Sequence, residues 1–170
     1  MAPVRPMLFT VLVGGAVACS APEAAPQPAL ELTGRVVDAA DILSASTESD
    51  LVDKLERLEN DTRAQLVVAT TPDLKGYGID DYALKLGNAW GVGDSERHDG
   101  LLLVVAPNER KVRIEVGLGL ETVVTDEEAA DILENDILPH FRQGDYAEGI
   151  ARGVDGLSEE LSAEPMRKAA

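Results

Sequence analysis

The chain has 170 residues, 45% of them apolar and 4% aromatic, with 31 acidic residues against 15 basic ones and a formal charge of −16. That length suits one domain with a sizeable, mainly aliphatic core. A field of that sign excludes nucleic acid and anionic membrane surfaces as natural partners and favours cations and basic proteins, although such a charge also simply solvates the surface of an exported protein.

Residues 1–18 read as an export signal. Arg5 supplies a short positive region, residues 7–17 are apolar apart from Thr10 and are broken by Gly14-Gly15, and Ala16-Val17-Ala18 places small residues before a cleavage point. The stretch is too short to cross a bilayer as a stable helix. Cys19, the only cysteine, follows directly. Ala16-Val17-Ala18-Cys19 resembles a bacterial lipobox, with Ala16 where leucine is usual. Lipidation at Cys19 would leave the domain anchored to a membrane on the periplasmic side of the cell envelope. Ordinary cleavage after Ala18 suits the same residues and would release a soluble secreted protein. In either case no disulfide is available, and an acylated Cys19 leaves no thiol for catalysis. Residues 19–33 carry Pro22, Pro26 and Pro28 and form a semi-extended tether.

The folded domain is expected over residues 34–162, with a frayed tail over 163–170. Val36-Val37-Asp38 leads into Ile42-Leu43. A helix over Ser46–Asn60 follows, with Leu51, Val52, Leu55 and Leu58 on one face. Gln65–Thr70 is a core strand, and Asp80–Trp90 a helix burying Tyr82, Leu86, Ala89 and Trp90 before Gly91 and Gly93 stop it. Leu101–Ala106 is unbroken apolar, as a strand covered on both faces should be. Residues 111–116 alternate, with Val112, Ile114 and Val116 opposed to Lys111, Arg113 and Glu115, as in a half-buried strand. Pro107-Asn108-Glu109-Arg110 between them is a hairpin turn. Thr125 and Glu128 form a capping box for a third helix that buries Ile132, Leu133 and Ile137 until Pro139 disturbs it. Asp145 caps a fourth, striped by Tyr146, Ile150, Val154, Leu157 and Leu161. The strand–helix–strand unit is parallel and right-handed, and the hairpin adds an antiparallel edge strand. The expected fold class is α/β, a small mixed sheet of three or four strands with helices on both faces.

The hairpin brings two glycine-rich, acid-bearing loops to one rim: residues 91–100, with Asp94, Glu96 and Asp99, and residues 117–121, with Glu121; Asp126 starts the helix beyond. Clustered carboxylates repel unless neutralised, and a hard cation held by oxygen ligands is the usual remedy. Against this stands the ordinary role of such acids, solvating loops and helix starts; no EF-hand spacing is present. Other chemistry is missing: His98 and His140 show no metal spacing and read as rim residues, no serine lies in a nucleophile elbow, and Gly91-Val92-Gly93 and Gly117-Leu118-Gly119 lack a dinucleotide fingerprint.

Several of these pieces together resemble the TPM domain family: Val36-Val37-Asp38 with Ile42-Leu43-Ser44; Trp90-Gly91-Val92-Gly93; Asp99-Gly100 leading through the hairpin to Glu121; Thr125-Asp126; Leu138-Pro139; and Phe141-Arg142-Gln143-Gly144-Asp145-Tyr146 with Gly149-Ile150. The likeness runs from about Gly34 to Leu161. It implies a three-layer α/β/α sandwich in an extracytoplasmic domain. It also implies binding of a divalent cation, calcium or magnesium, with Asp99 and Glu121 at motif positions, Asp94 beside them, and Asp38 as a further candidate. Two functions follow from it. The first is an accessory envelope module that binds the cation and a membrane-protein partner. The alternative is a low-turnover, cation-dependent acid phosphatase with Asp99 at its catalytic centre. The transmembrane helix and glycine-rich tail common in bacterial relatives do not occur in this sequence, and no arginine clamp or histidine acid stands out for phosphate chemistry.

Overall fold

The computed structural model describes residues 30–163. The export signal, the lipidation candidate Cys19, most of the tether and the tail lie outside the described residues. In chain order the elements are β1 (Val36–Asp38), α1 (Ala45–Thr62), β2 (Gln65–Thr70), α2 (Ile79–Trp90), β3 (Gly100–Ala106), β4 (Lys111–Val116), α3 (Asp126–Ile132), α4 (Leu138–Phe141) and α5 (Tyr146–Ala163). They build one sheet of order β1-β2-β3-β4, parallel across the first three strands and antiparallel between β3 and β4. Leu101 faces Val116 and Ala106 faces Lys111 across the hairpin, so the start of β3 and the end of β4 share a rim.

The alternation of each strand divides the core in two. Leu66, Val68, Leu101, Leu103, Val105 and Ile114 turn to the face covered by α1, α3 and α5. Val67, Ala69, Leu102, Val104 and Ala106 turn to the face covered by α2, through Tyr82, Ala83 and Leu86. The result is the expected three-layer sandwich. β3 is buried at all seven positions, which explains its unbroken apolar run: each fully buried leucine contributes about 1.5–3 kcal/mol relative to exposure. β4 buries Ile114 and leaves Lys111 exposed; its charges blunt an otherwise open sheet edge.

The local signals operate as read. Ser44 caps α1 by accepting the Thr47 N–H, and Thr125 and Glu128 form the reciprocal capping box of α3. Four details differ from expectation. Val36–Asp38 is a strand, pairing with Val68–Thr70, because a parallel neighbour completes a segment too short to show alternation. In α2 it is Ala83 that is buried; Ala89 is exposed and Trp90 half-buried. The Trp90 indole N–H donates to the Leu30 carbonyl at 2.9 Å, so the packed structure begins ahead of residue 34. The third helix is not continuous: a π-helical turn, Leu133–Ile137, separates α3 from α4. Pro139 lacks the N–H that would continue the α ladder, and the wider turn relieves that break.

Candidate functional site

The rim formed by residues 91–100 and 117–121 is interlocked by backbone. Gly117 N–H donates to Gly100 O at 2.8 Å and Gly119 N–H to His98 O at 3.0 Å. A Cβ at Gly119 would land on the Arg97 carbonyl, and one at Gly117 on the His98 carbonyl. Only glycine permits this approach. Turning the first loop requires left-handed backbone at Gly91, Gly93 and His98, where φ is 61°, 88° and 51°.

Asp99 holds that loop from inside. Its side chain is almost wholly buried, with the residue 1% exposed. Oδ1 accepts the Asp94 N–H at 2.8 Å and Oδ2 accepts the Arg97 Nε–H. Asp94 turns back on the same loop: Oδ1 accepts the N–H groups of Glu96 and Arg97 at 2.9 and 3.0 Å, and Oδ2 lies 3.2 Å from Arg97 Nη1. These backbone donors, from Arg97 first and Glu96 second, hold the Asp94 carboxyl below its ordinary range, with the Arg97 charge adding to them. The hydrogen bond to Asp99 in turn keeps Arg97 firmly protonated. A planar guanidinium thus bridges two carboxylates, one of them buried, and supplies the neutralising charge that their proximity demands.

The four acids expected as ligands therefore divide. Asp94 and Asp99 come together, around Arg97. Glu121 is exposed at the same rim but lines adjoining grooves, with His98 and Glu115 in one and Asp126 and Glu127 in the other. Asp38 lies at the carboxyl end of β1, paired in register with Thr70, whereas Asp99 precedes the amino end of parallel β3. There Asp38 accepts the Leu43 N–H at 2.8 Å and the Thr70 hydroxyl, bracing the entry to α1. Pairing with β2 fixes that position, at the opposite end of the sheet from Asp99. Among the described residues, no three His, Cys, Asp or Glu side chains converge closely enough to hold a metal ion. The donor chemistry is hard oxygen, suited to calcium or magnesium, but as arranged the acids fit an arginine rather than a cage for an ion.

Sequence reasoning overlooked Arg97, although Asp94-x-x-Arg97-x-Asp99 is a readable signal once the loop is known to fold back on itself. It also overlooked two leucines. Leu118, at the tip of the second loop, is 71% exposed, and Leu84 on α2 is 50% exposed. Both line one open groove of about 440 Å³ that also carries Glu115 and Glu121.

Fold and rim together define a small α/β/α domain whose distinctive surface is a pair of locked glycine loops at one end of a mixed sheet. The chain belongs to the TPM domain family, which it matches over residues 36–160. Among solved structures it is similar to the N-terminal domain of a protein from P. gingivalis, at 34% identity and a TM-score of 0.73, covering 78% of this chain and 85% of that one. It is also similar in fold to BA42 from the psychrophilic bacterium Bizionia argentinensis (22% identity, TM-score 0.66, 75% and 88% covered). The N-terminal domain of cg2496 from Corynebacterium glutamicum shares the fold as well (18% identity, TM-score 0.59, 86% and 88% covered). No curated protein matches this chain.

Proposed function

We propose that this chain is an extracytoplasmic binding module, held at a membrane through acylated Cys19, that docks a membrane-protein partner on its glycine-loop rim. The groove flanked by Leu118 and Leu84 carries this reading. Large aliphatic side chains, Leu118 exposed on the locked loop and Leu84 on α2, beside Glu115 and Glu121, provide an apolar anchor with an acidic border, the composition of a recognition patch for a basic, apolar-tipped segment. The cation enters the proposal as a competitor of Arg97. Calcium or magnesium would take the oxygens of Asp94 and Asp99 only by displacing the guanidinium, so binding should be weak, about millimolar, as in extracellular modules. The phosphatase alternative has less support, because it needs Asp99 to face a substrate, and Asp99 is 1% exposed with both oxygens engaged.

Affinity capture from membranes tests the docking. A protein retained by the wild-type chain and lost with Leu118→Ser is the expected result; eluates indistinguishable between the two would overturn it. Calcium titration followed by amide NMR tests the cation. Resonances of residues 94–99 should move, and at lower calcium in Arg97→Gln; no movement in either protein removes the ion from the proposal. Labelled palmitate should be incorporated by the wild-type chain and not by Cys19→Ala, and label that survives the substitution defeats the anchor.

A further inference from the structure

At the carboxyl end of β3, opposite the acidic rim, the sheet opens into a cavity of about 520 Å³ that the proposed function does not use. Arg110 and Lys111 from the hairpin turn and Arg142 from the end of α4 line it, together with Ala106 and the rings of Phe141 and Tyr146. The two rings pack against each other with centroids 4.9 Å apart and form an apolar part of the cavity wall. Among the described residues none of the three side chains has an acidic partner; Arg35, Lys54, Lys75, Arg97, Arg113 and Arg152 are ion-paired, and the other cations without an acidic partner, Arg57, Arg63 and Lys85, lie outside the cavity. The one carboxylate of the turn is withdrawn: Glu109 Oε1 reaches away to accept the Leu74 N–H at 3.0 Å. Left-handed backbone at Arg110, with φ 55°, closes the turn onto Pro107 O and directs the chain into β4 with two successive cations at the cavity.

In a protein of formal charge −16, three unpaired cations around one aromatic-walled cavity form a local reversal of the field. We propose that this cavity is an anion-binding site for a phosphate monoester carrying a compact apolar or planar body. The two arginines can fork onto phosphate oxygens, Lys111 adds a point charge, and the Phe141 and Tyr146 rings cover the body. The volume lies in the usual range for small-ligand pockets, about 300–1,000 Å³, and the carboxyl ends of parallel strands are where open α/β sheets bind ligands. The ester is held unhydrolysed, since among the described residues no carboxylate, histidine, serine or cysteine lines the cavity. A soluble ester and the phosphate headgroup of a lipid present the same chemistry; the overall negative charge works against a membrane and favours the soluble source.

The test is titration of the full chain with phenyl phosphate, followed by amide NMR and assayed for released phosphate. Saturable shifts confined to residues 106–111 and 138–146, without phosphate release, are expected. Inorganic phosphate and phenol, each lacking half of the ligand, should bind more weakly. The double variant Arg110→Gln/Arg142→Gln changes only exposed side chains and should leave the rest of the spectrum in place while weakening binding about tenfold or more. No saturable shift up to about 10 mM, weaker than any specific site of interest, would overturn the proposal, as would unchanged affinity in the double variant. A second arm locates the source. Full chain carrying Cys19→Ser is sedimented with phosphatidylcholine vesicles, with and without phosphatidic acid. Arginine-dependent sedimentation assigns the site to a lipid headgroup; phenyl phosphate binding without sedimentation assigns it to a soluble ester.

Discussion

The two ends of β3 solve opposite electrostatic problems. At its amino end, acids in two loops are gathered and then neutralised from within: Arg97 bridges Asp94 and buried Asp99, and backbone N–H groups take up the remaining oxygen of each. At its carboxyl end, Arg110, Lys111 and Arg142 are gathered and left without a counter-charge. The first arrangement is closed and holds the fold together; the second is open and is available to a ligand. A dense patch of charge is therefore a poor guide to a binding site unless its internal pairing is known.

Substitutions at the amino end should cost stability, and those at the carboxyl end should not. The largest effect is expected for Gly119→Ala, whose new Cβ meets the Arg97 carbonyl. Forcing the interlocked loops apart should destabilise the domain by about 3 kcal/mol, as severe overpacking does, read by guanidinium unfolding. Asp99→Asn keeps an acceptor for the Asp94 N–H but loses the charged partner of Arg97. A loss of about 2 kcal/mol is expected, in line with hydrogen bonds between charged groups. By contrast Arg142→Gln, in the open cavity, should change stability by less than about 0.5 kcal/mol, as exposed substitutions usually do. A loss there comparable to that of Asp99→Asn would show that the carboxyl end is also a structural brace, and the contrast would collapse.

Acid sharpens the same contrast with a smaller effect. The Asp94 carboxyl is held below its ordinary value in the folded chain, mainly by the Arg97 and Glu96 N–H groups. Its contribution is therefore present above the unfolded value of about 3.9 and is lost as pH falls through the lower, folded value. Protection of the Glu96 and Arg97 amides, exchange relative to the intrinsic rate at each pH, should fall below about pH 4, while Arg110 and Arg142 amides keep theirs. Equal loss of protection at both ends would indicate global acid unfolding rather than release of one loop.

Most of the fold was legible because its signals are local. The apolar run of β3, the alternation of β4, the capping box at Thr125 and the stripe of α5 each require nothing beyond their own segment. What escaped depends on distant partners. Val36–Asp38 becomes a strand only by pairing with Val68–Thr70. Trp90 is only half-buried because its indole must reach Leu30 O, and Ala83 takes the buried position that Ala89 was expected to hold. The meeting of the two loops was legible, but not what their acids do there. The hairpin pattern brings the loops bearing Asp94, Asp99 and Glu121 to one rim, yet a residue count cannot show that Arg97 folds back onto two of those acids. Asp38 was a further candidate on its motif position alone, and its pairing in β1 puts it at the other end of the sheet from Asp99. The basic cavity joins residues about thirty positions apart, through the packing of α4 and the hairpin turn beside the end of β3, and no spacing in the sequence announces that.

The length of β3 has a consequence of its own. Seven buried residues at about 3.3 Å each separate rim and cavity by roughly 20 Å, more than two Debye lengths of about 8 Å at physiological ionic strength. Exposed charge at one end is therefore screened from the other. The acids of the rim do little to offset the three cations, and an ion gained or lost at the rim should change little at the cavity. The sheet acts as an insulating spacer between the two proposed sites, whose binding equilibria should be independent of one another.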